Sequence, residues 1–222
     1  AGTARANGLV QTCREICLMG KRVFIAGADG FVGSMLARAL TSKGYEVHGG
    51  VYVRAPGERE TRVDVSRPDS FGAIPPGDFD AVINNAGVVD QSTPTRIMFA
   101  VNAEGTRNTL AWARSRNCRH FIQVSSISVV GLKAMGQNRS EDRAKRSLYL
   151  GVPYQRSKAK GEAYVESSGL PFTILRLPSV LGSGDTIITP AIGASLKDGS
   201  YFRCGNKDPL LSELFISSIY AV

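Results

Sequence analysis

Short apolar runs alternate with longer amphipathic segments along most of the chain. Runs rich in β-branched and aromatic residues predict strands over residues 21–26, 45–53, 81–84, 120–125 and 172–177. Apolar positions at helical spacing predict helices over residues 31–42, 95–117 and 154–168. Strands that alternate with helices are typical of an α/β fold, in which crossover helices cover both faces of a parallel sheet. The pattern therefore predicts a doubly wound parallel sheet.

The pattern loosens after Gly182. A helix is predicted from Thr189 to Leu196, a turn follows at Asp198-Gly199, and residues 215–222 look like the start of another strand or helix. At the other end, residues 1–18 carry no sustained apolar run, and Met19 leads straight into the first predicted strand. We expect residues 1–18 to be an expression remnant or an upstream extension outside the fold.

Composition and charge narrow the class of protein. The 222 residues are 43% hydrophobic and 21% charged, which is ordinary for a globular chain and excludes a collagenous or disordered one. No apolar run approaches the roughly 20 residues that cross a bilayer, so we expect no membrane partner. The net charge of +8 favours anionic partners. Aromatic residues are sparse in the basic segment 131–160, so nucleic acid is not expected as a partner.

The four cysteines, Cys13, Cys17, Cys118 and Cys204, form no CxxC pair and have no histidines at ligand spacing. We therefore expect no metal site. They are interpreted as reduced thiols, which favours a cytoplasmic protein.

A glycine-rich turn follows the first predicted strand. Residues 27–33 read GADGFVG and open the first predicted helix. Gly27 would permit a tight turn, Gly30 would let a pyrophosphate approach the backbone, and Gly33 would let helix and strand pack closely. The N–H groups and the dipole at the start of the helix would attract the phosphates. The turn predicts a dinucleotide site, although glycines also serve plain packing at such turns.

A second motif combines a phenol with an ammonium. Tyr154 and Lys158 stand four residues apart, so a helix places them on one face. A nearby ammonium favours the phenolate and is expected to lower the pKa of Tyr154 from its usual value of about 10. A tyrosinate could then take or give the proton of a substrate hydroxyl group while hydride moves to or from a nicotinamide.

Several further motifs occur in a fixed order between residues 21 and 185. Residues 84–87 read NNAG, residues 101–108 read VNAEGTRN, and residues 124–126 read VSS with Gly131 following. Residues 154–158 read YQRSK, and residues 176–182 read RLPSVLG. With the glycine turn, this set resembles the extended short-chain dehydrogenase/reductase superfamily, to which nucleotide-sugar epimerases and dehydratases belong. The resemblance implies a Rossmann-type doubly wound sheet with a small or truncated C-terminal substrate lobe.

The resemblance implies roles for individual residues. Ser126 would orient the substrate oxygen, with Ser125 as the competitor for that role, and Tyr154 would be the acid/base. Lys158 would tune Tyr154 and hold the ribose hydroxyls, and Asn102 would belong to their hydrogen-bond network. The implied cofactor-binding residues are Gly27, Gly30, Phe31, Val32, Gly33, Arg54, Asp64, Val65, Asn85, Ala86, Gly87, Asn102, Tyr154, Lys158 and Pro178.

The end of the second predicted strand bears on the choice between NAD and NADP. A carboxylate at this position would accept a hydrogen bond from the 2′-hydroxyl of NAD, whereas an arginine accommodates the 2′-phosphate of NADP. The strand ends on Val53 and Arg54 without a carboxylate, and Arg59 is a more distant option. We therefore expect NADP to be favoured over NAD. Asp64 is placed to meet the adenine amine, or alternatively to cap a turn.

These expectations combine into one hypothesis with two alternatives. Residues 19–182 form an NAD(P)-binding domain and residues 183–222 part of a substrate lobe. The chain is then an oxidoreductase or epimerase that transfers hydride at a secondary alcohol or ketone carbon, preferably of a nucleotide sugar, and forms a homodimer. One alternative is an NADPH-dependent ketone reductase of the dihydroflavonol or hydroxysteroid type. The other is a dinucleotide-binding protein that performs no chemistry.

Overall fold

The main sheet has six parallel strands. The computed structural model describes residues 21–130, 152–200 and 213–220. The strands are β1 (Arg22–Ala26), β2 (Glu46–Val51), β3 (Glu60–Arg62), β4 (Ala81–Asn84), β5 (His120–Ser126) and β6 (Phe172–Leu177). Their order is β3-β2-β1-β4-β5-β6, and every neighbouring pair is parallel. The order reverses direction at β1, which confirms the predicted doubly wound sheet and its Rossmann-type topology.

Helices cover both faces of this sheet. The described helices are α1 (Phe31–Ser42), α2 (Thr95–Phe99), α3 (Gly105–Ser115), α4 (Pro153–Glu166) and α5 (Ile188–Asp198). α1 packs on one face of the sheet, and α3 and α4 pack on the other. Gly44 follows the end of α1 with a φ of 86°, a left-handed conformation that glycine adopts without strain. The helix predicted over 95–117 is interrupted, because a π-helical turn, Ala100–Glu104, separates α2 from α3.

The two faces of the sheet carry separate cores. On one face Phe24, Phe79 and Trp112 pack together, with the rings of Phe24 and Trp112 centred 4.6 Å apart. On the other face Val23 and Ile25 pack with partly buried residues of α1. Because β1 is buried on both faces, it is a continuous apolar run rather than an alternating one.

The elements that the periodicity did not predict are short. They are the strands β3 and β7 (Ser179–Leu181) and the 3₁₀ helices Pro68–Ala73 and Ile127–Val130. The strand β8 (Glu213–Phe215) and the 3₁₀ helix Ile216–Tyr220 lie where the start of a strand or helix was expected. β7 and β8 form a separate parallel pair beyond the main sheet. Three-residue strands are too short to show a period. Within the described ranges, no helix combines the length and apolarity that spanning a membrane requires.

Candidate functional site

The glycine turn lies where β1 ends and α1 begins. Gly27 has a φ of 75°, and a Cβ atom there would come within 2.8 Å of the Ala86 Cα atom. A Cβ atom on Gly33 would overlap the carbonyl oxygen of Gly27. Both glycines are therefore required by the close packing of the turn against the residues after β4 and against α1.

Gly30 differs from the other two glycines of the turn. A Cβ atom there would lie no closer than 3.4 Å to the chain, and φ is an ordinary −76°. Gly30 precedes α1, whose start has no side-chain cap and no acidic residue in its first turn. The space at Gly30 and the N–H groups at the start of α1 suit a pyrophosphate. The turn therefore fits the diphosphate of a dinucleotide.

Asp29, in the middle of the turn, was missed by the sequence analysis. Its Oδ2 atom accepts hydrogen bonds from the backbone N–H groups of Tyr52, at 2.9 Å, and Val53, at 2.6 Å. Asp29 therefore joins the glycine turn to the loop after β2. The signal for it was weak, because an aspartate between glycines is common in turns of many kinds.

Arg54 does not stand alone after β2. Its guanidinium forms a bidentate ion pair with Glu60, in which Nη1 lies 2.6 Å from Oε2 and Nη2 lies 2.6 Å from Oε1. The hydrogen bonds from Arg54 hold the pKa of Glu60 below its usual range. Thus β3 supplies a carboxylate to this region, although the end of β2 has none. Arg59 has a φ of 56°, and its carbonyl accepts from the Gly49 N–H group.

Asp64 caps a turn, as one of the two sequence interpretations expected. Its Oδ1 atom accepts from the backbone N–H of Ser66 at 3.0 Å and from the Ser66 hydroxyl at 2.7 Å. The neighbouring Val65 side chain is buried, and a Cβ atom on Gly105 would lie 2.7 Å from its Cγ2 atom. These contacts hold the backbone of the two residues in place beyond β3.

The segment after β4 contacts the glycine turn. The Asn85 Nδ2 atom donates to the Gly27 carbonyl at 3.2 Å, and the Asn85 backbone N–H donates to the Ala26 carbonyl at 3.1 Å. Ala86 and Gly87 follow directly. A Cβ atom on Gly87 would lie 3.1 Å from Lys158 Nζ and 3.3 Å from Asn102 Oδ1, so this glycine leaves room for both side chains.

Asn102 lies in the π-helical turn between α2 and α3. Its Nδ2 atom donates to the Val88 carbonyl at 2.9 Å and to the Ser157 hydroxyl at 3.0 Å, while Oδ1 accepts from the Val88 N–H at 2.8 Å. π-helical turns inside α-helices occur frequently at functional sites. The turn presents a buried amide that joins the segment after β4 to α4.

Lys158 is buried on α4. Its Nζ atom donates to the Val124 carbonyl at 3.0 Å. Burial lowers the pKa of Lys158 from 10.5 to about 8, although the nearby Glu162 carboxylate raises it. The ammonium thus lies between Gly87, after β4, and the Val124 carbonyl of β5.

Tyr154 and Ser126 are brought together across α4 and β5. Burial raises the pKa of Tyr154, and a hydrogen bond with Ser126 opposes that rise. The expected lowering of the Tyr154 pKa by Lys158 is therefore wrong for this structure, since desolvation of the phenol outweighs the favourable contacts. Ser125 is buried, and its Oγ atom has no hydrogen-bond partner among the described residues. Of the two serines, Ser126 is the partner of Tyr154.

Glu162 was also missed by the sequence analysis. It follows Lys158 by one helical turn, is fully buried, and receives two hydrogen bonds from Arg176 of β6: Nε to Oε1 at 3.0 Å and Nη2 to Oε2 at 2.8 Å. The spacing Tyr154, Lys158, Glu162 repeats every four residues and could have signalled it. Pro178 lies half-buried between β6 and β7.

Part of the sequence to which the motifs and the basic charge belong falls outside the described residues. Gly131 and most of the basic segment 131–160 lie outside the ranges that the structure describes. In the part of the chain that is described, no group of histidine, cysteine and acidic side chains could hold a metal ion. Cys118 is a buried free thiol whose pKa is raised by burial.

The fold and the glycine turn define a dinucleotide-binding α/β protein. The family model of the NAD dependent epimerase/dehydratase family matches residues 23–210. The chain therefore belongs to this family, and the resemblance to the extended short-chain dehydrogenases/reductases is confirmed. It is an NAD(P)-dependent enzyme.

The chain is also similar to curated proteins and to solved structures. An uncharacterized chloroplastic protein of Arabidopsis thaliana is 31% identical over 82% of this chain and 68% of its own length. Vestitone reductase of Medicago sativa is 25% identical over 85% of this chain and 66% of its own. The structure of the Bordetella bronchiseptica enzyme WbmG with NAD and UDP is 20% identical, with a TM-score of 0.71 over 90% of this chain and 66% of that one. That structure supports the fold alone.

Proposed function

We propose that this enzyme transfers hydride at a secondary alcohol or ketone carbon of a nucleotide sugar. The observation that carries the proposal is that α4 places Tyr154 beside Ser126 of β5 and holds the buried Lys158 Nζ atom against the Val124 carbonyl, two residues before Ser126. In this proposal Ser126, Tyr154, Lys158 and Asn102 are the catalytic residues.

The proposed cofactor site surrounds the glycine turn. The residues proposed to hold NAD(P) are Gly27, Gly30, Phe31, Val32, Gly33, Arg54, Asp64, Val65, Asn85, Ala86, Gly87, Asn102, Tyr154, Lys158 and Pro178. The room at Gly30 and the uncapped start of α1 support a diphosphate there. When bound, the nicotinamide supplies or accepts the hydride.

The side chains move and hold protons around the substrate oxygen. Because burial raises the pKa of Tyr154, the phenol is protonated near neutral pH and suits donation of its Oη proton to a carbonyl oxygen. The Ser126 hydroxyl orients that oxygen. The Lys158 ammonium stabilises the phenolate that donation leaves behind, while Asn102 holds the neighbouring backbone in place.

A nucleotide sugar is the proposed substrate class. The WbmG structure contains NAD and UDP, and the net charge of +8 on this chain suits an anionic substrate. In an epimerisation the hydride is removed and returned, so the reaction leaves no net change in the cofactor. Product analysis is therefore needed to detect it.

A direct ketone reductase is the second candidate. It is supported by the similarity to vestitone reductase over most of this chain. Such an enzyme would consume reduced cofactor, and the loss of nicotinamide absorbance would distinguish it from an epimerase. A protein that binds the dinucleotide without chemistry would show neither product nor consumption.

The proposal is tested by Tyr154→Phe, with Tyr164→Phe as the matched control. Tyr164 lies further along the same helix and donates to Glu104 rather than to any of the proposed catalytic residues. We expect Tyr154→Phe to retain dinucleotide binding and to lose turnover by about a hundredfold or more, the range for a general acid/base, while Tyr164→Phe keeps turnover. The assays are chromatography of nucleotide sugars and reduced-cofactor absorbance with a panel of ketones.

Two outcomes contradict the proposal in different ways. Unchanged turnover in Tyr154→Phe would remove Tyr154 from the chemistry. Dinucleotide binding by the wild type without turnover of any sugar nucleotide or ketone would favour the silent binding protein instead.

Three further expectations belong to the same proposal. We propose that Arg54 is the ligand of a 2′-phosphate and by itself favours NADP over NAD. A homodimer through the helices at 95–117 and 154–168 is proposed, and sedimentation velocity measures it. The division into a domain at 19–182 and a substrate lobe at 183–222 also stays a prediction, and limited proteolysis addresses it.

A further inference from the structure

We propose that Glu60 occupies the anion site that a 2′-phosphate would use, and that Glu60 thereby sets the preference between NADP and NAD. This inference rests on the proposed function, because it assumes that the glycine turn holds the dinucleotide. It assigns a specificity role to a residue of β3 that the sequence motifs do not mark.

The donors around Glu60 form a complete anion site. The Nη1 and Nη2 atoms of Arg54 each lie 2.6 Å from an oxygen of the Glu60 carboxylate, and the Gly57 backbone N–H donates to Oε2 at 2.7 Å. An arginine fork and a backbone N–H are the donors that also bind phosphate. The site therefore already holds one anion, and that anion belongs to the protein.

The position of this site is next to the glycine turn. A Cβ atom on Gly49 would lie 3.0 Å from the Ala28 Cβ atom and 3.2 Å from the Glu60 Cγ atom. The Glu60 side chain therefore runs over Gly49, beside Ala28 of the turn. Asp29 holds the same loop from the other side, since its Oδ2 atom accepts from the Val53 N–H at 2.6 Å. The end of β2 is where the 2′ position of the adenosine ribose is recognised in this fold.

The ion pair of Arg54 and Glu60 is accessible enough for a bound phosphate to replace the carboxylate. The Arg54 side chain is 50% exposed and the Glu60 side chain 19%. A 2′-phosphate would gain the arginine only by displacing Glu60, which would then lose its bidentate partner. A 2′-hydroxyl group faces no such competition. Glu60 therefore lowers the preference for NADP that Arg54 alone would give.

The test uses Glu60→Gln, which keeps the shape of the side chain and an acceptor for Gly57. Glu58→Gln is the matched control, because it removes the same charge two residues earlier, from the exposed loop before β3. The Arg54 side chain donates its hydrogen bonds to Glu60 and to the Ala55 carbonyl. Affinities for NADPH and NADH are measured by nicotinamide fluorescence. Adenosine 2′,5′-bisphosphate and 5′-AMP are compared by calorimetry, so the readout does not depend on turnover.

We expect Glu60→Gln to raise the NADPH-to-NADH affinity ratio about tenfold, a conservative value for exchanging one charge-assisted contact. The ratio for the two adenosine phosphates should rise in parallel. Glu58→Gln should change either ratio less than about twofold, since a screened surface charge contributes little. In the Arg54→Ala background, adding Glu60→Gln should not raise the NADPH-to-NADH affinity ratio. A second variant, Glu60→Ala, should act in the same direction, and melting curves check that each variant is folded.

Each contrary outcome has a distinct meaning. NADH binding with an unchanged NADPH-to-NADH ratio in both Glu60 variants would overturn this inference and leave the proposed function standing. An equal gain in Glu58→Gln, or a gain that survives in the Arg54→Ala background, would also overturn it, because the effect would then be general charge repulsion. If the folded wild type binds neither cofactor nor adenosine phosphate, the proposed function and this inference both fall.

Discussion

The buried pair of Glu162 and Arg176 allows a quantitative prediction about stability. Glu162 is completely buried and Arg176 is 15% exposed at its side chain, and two hydrogen bonds join them. Removing one partner of such a pair costs about 3–5 kcal/mol, because the other charge is left in a poorly solvated place. Since Arg176 keeps some exposure, we expect Glu162→Leu to cost about 3 kcal/mol.

Arg176→Met should cost less than Glu162→Leu. The carboxylate that remains still attracts the buried ammonium of Lys158, one helical turn away on α4. The double variant leaves neither charge of the pair uncompensated, so its cost should fall short of the sum of the two single costs by about 2 kcal/mol or more. For a chain of this length, a loss of 3 kcal/mol corresponds to a fall in Tm of roughly 6–12 °C.

The assay is urea unfolding followed by far-UV circular dichroism for the four members of the cycle. Glu46→Ala serves as the control, because Glu46 is exposed and pairs with Arg22 at a longer 3.8 Å. Exposed pairs contribute about 0–1 kcal/mol, so this variant should change little. Additivity of the two single costs within about 0.5 kcal/mol, or a Glu162→Leu cost no larger than that of the control, would refute the reasoning.

Two further predictions concern Lys158 and the glycine turn. Because the pKa of Lys158 is about 8 in the folded chain against 10.5 as the ordinary value, the unfolded chain holds more protons between these values. The free energy of unfolding should therefore rise as the pH is raised from about 7.5 to about 9.5. Urea titrations of Lys158→Met should lack this rise. If the wild type and the variant show the same dependence of unfolding free energy on pH, the prediction is wrong. Gly30→Ala should fold normally, because its Cβ atom would lie no closer than 3.4 Å to the rest of the chain, and should bind NADH weakly, because that atom would enter the space proposed for the diphosphate. Gly33→Ala should lower Tm, because its Cβ atom would overlap the Gly27 carbonyl; equal melting of the two variants would argue against this difference.

The sheet and its helices could be predicted because their signals are local. Buried parallel strands are short apolar runs, and covering helices repeat their apolar residues every three or four positions. The strands at 22–26, 81–84 and 120–126 agree with the expected ranges to within a residue. The π-helical turn at Ala100–Glu104 was not expected, because one extra residue per turn hardly disturbs the apolar period.

The candidate site was predictable where its residues stand close together in the chain. The glycines at 27, 30 and 33 share one turn, and Tyr154 and Lys158 share one helix face. Even so, local spacing gave the wrong direction for the Tyr154 pKa. Burial is a property of the packed molecule, and it outweighed the expected charge effect.

The sequence by itself determined the doubly wound fold, the glycine turn and the order of the motifs, since each depends on neighbours within a few residues. Only the tertiary structure decided which charges meet. Glu60 reaches Arg54 from the adjacent strand, Asp29 reaches the loop after β2, and Glu162 of α4 meets Arg176 of β6. Such partners are joined by the parallel pairing of strands and by helix packing, which bring distant residues together. The spacing of residues along the chain does not show which of them lie close together in the folded protein.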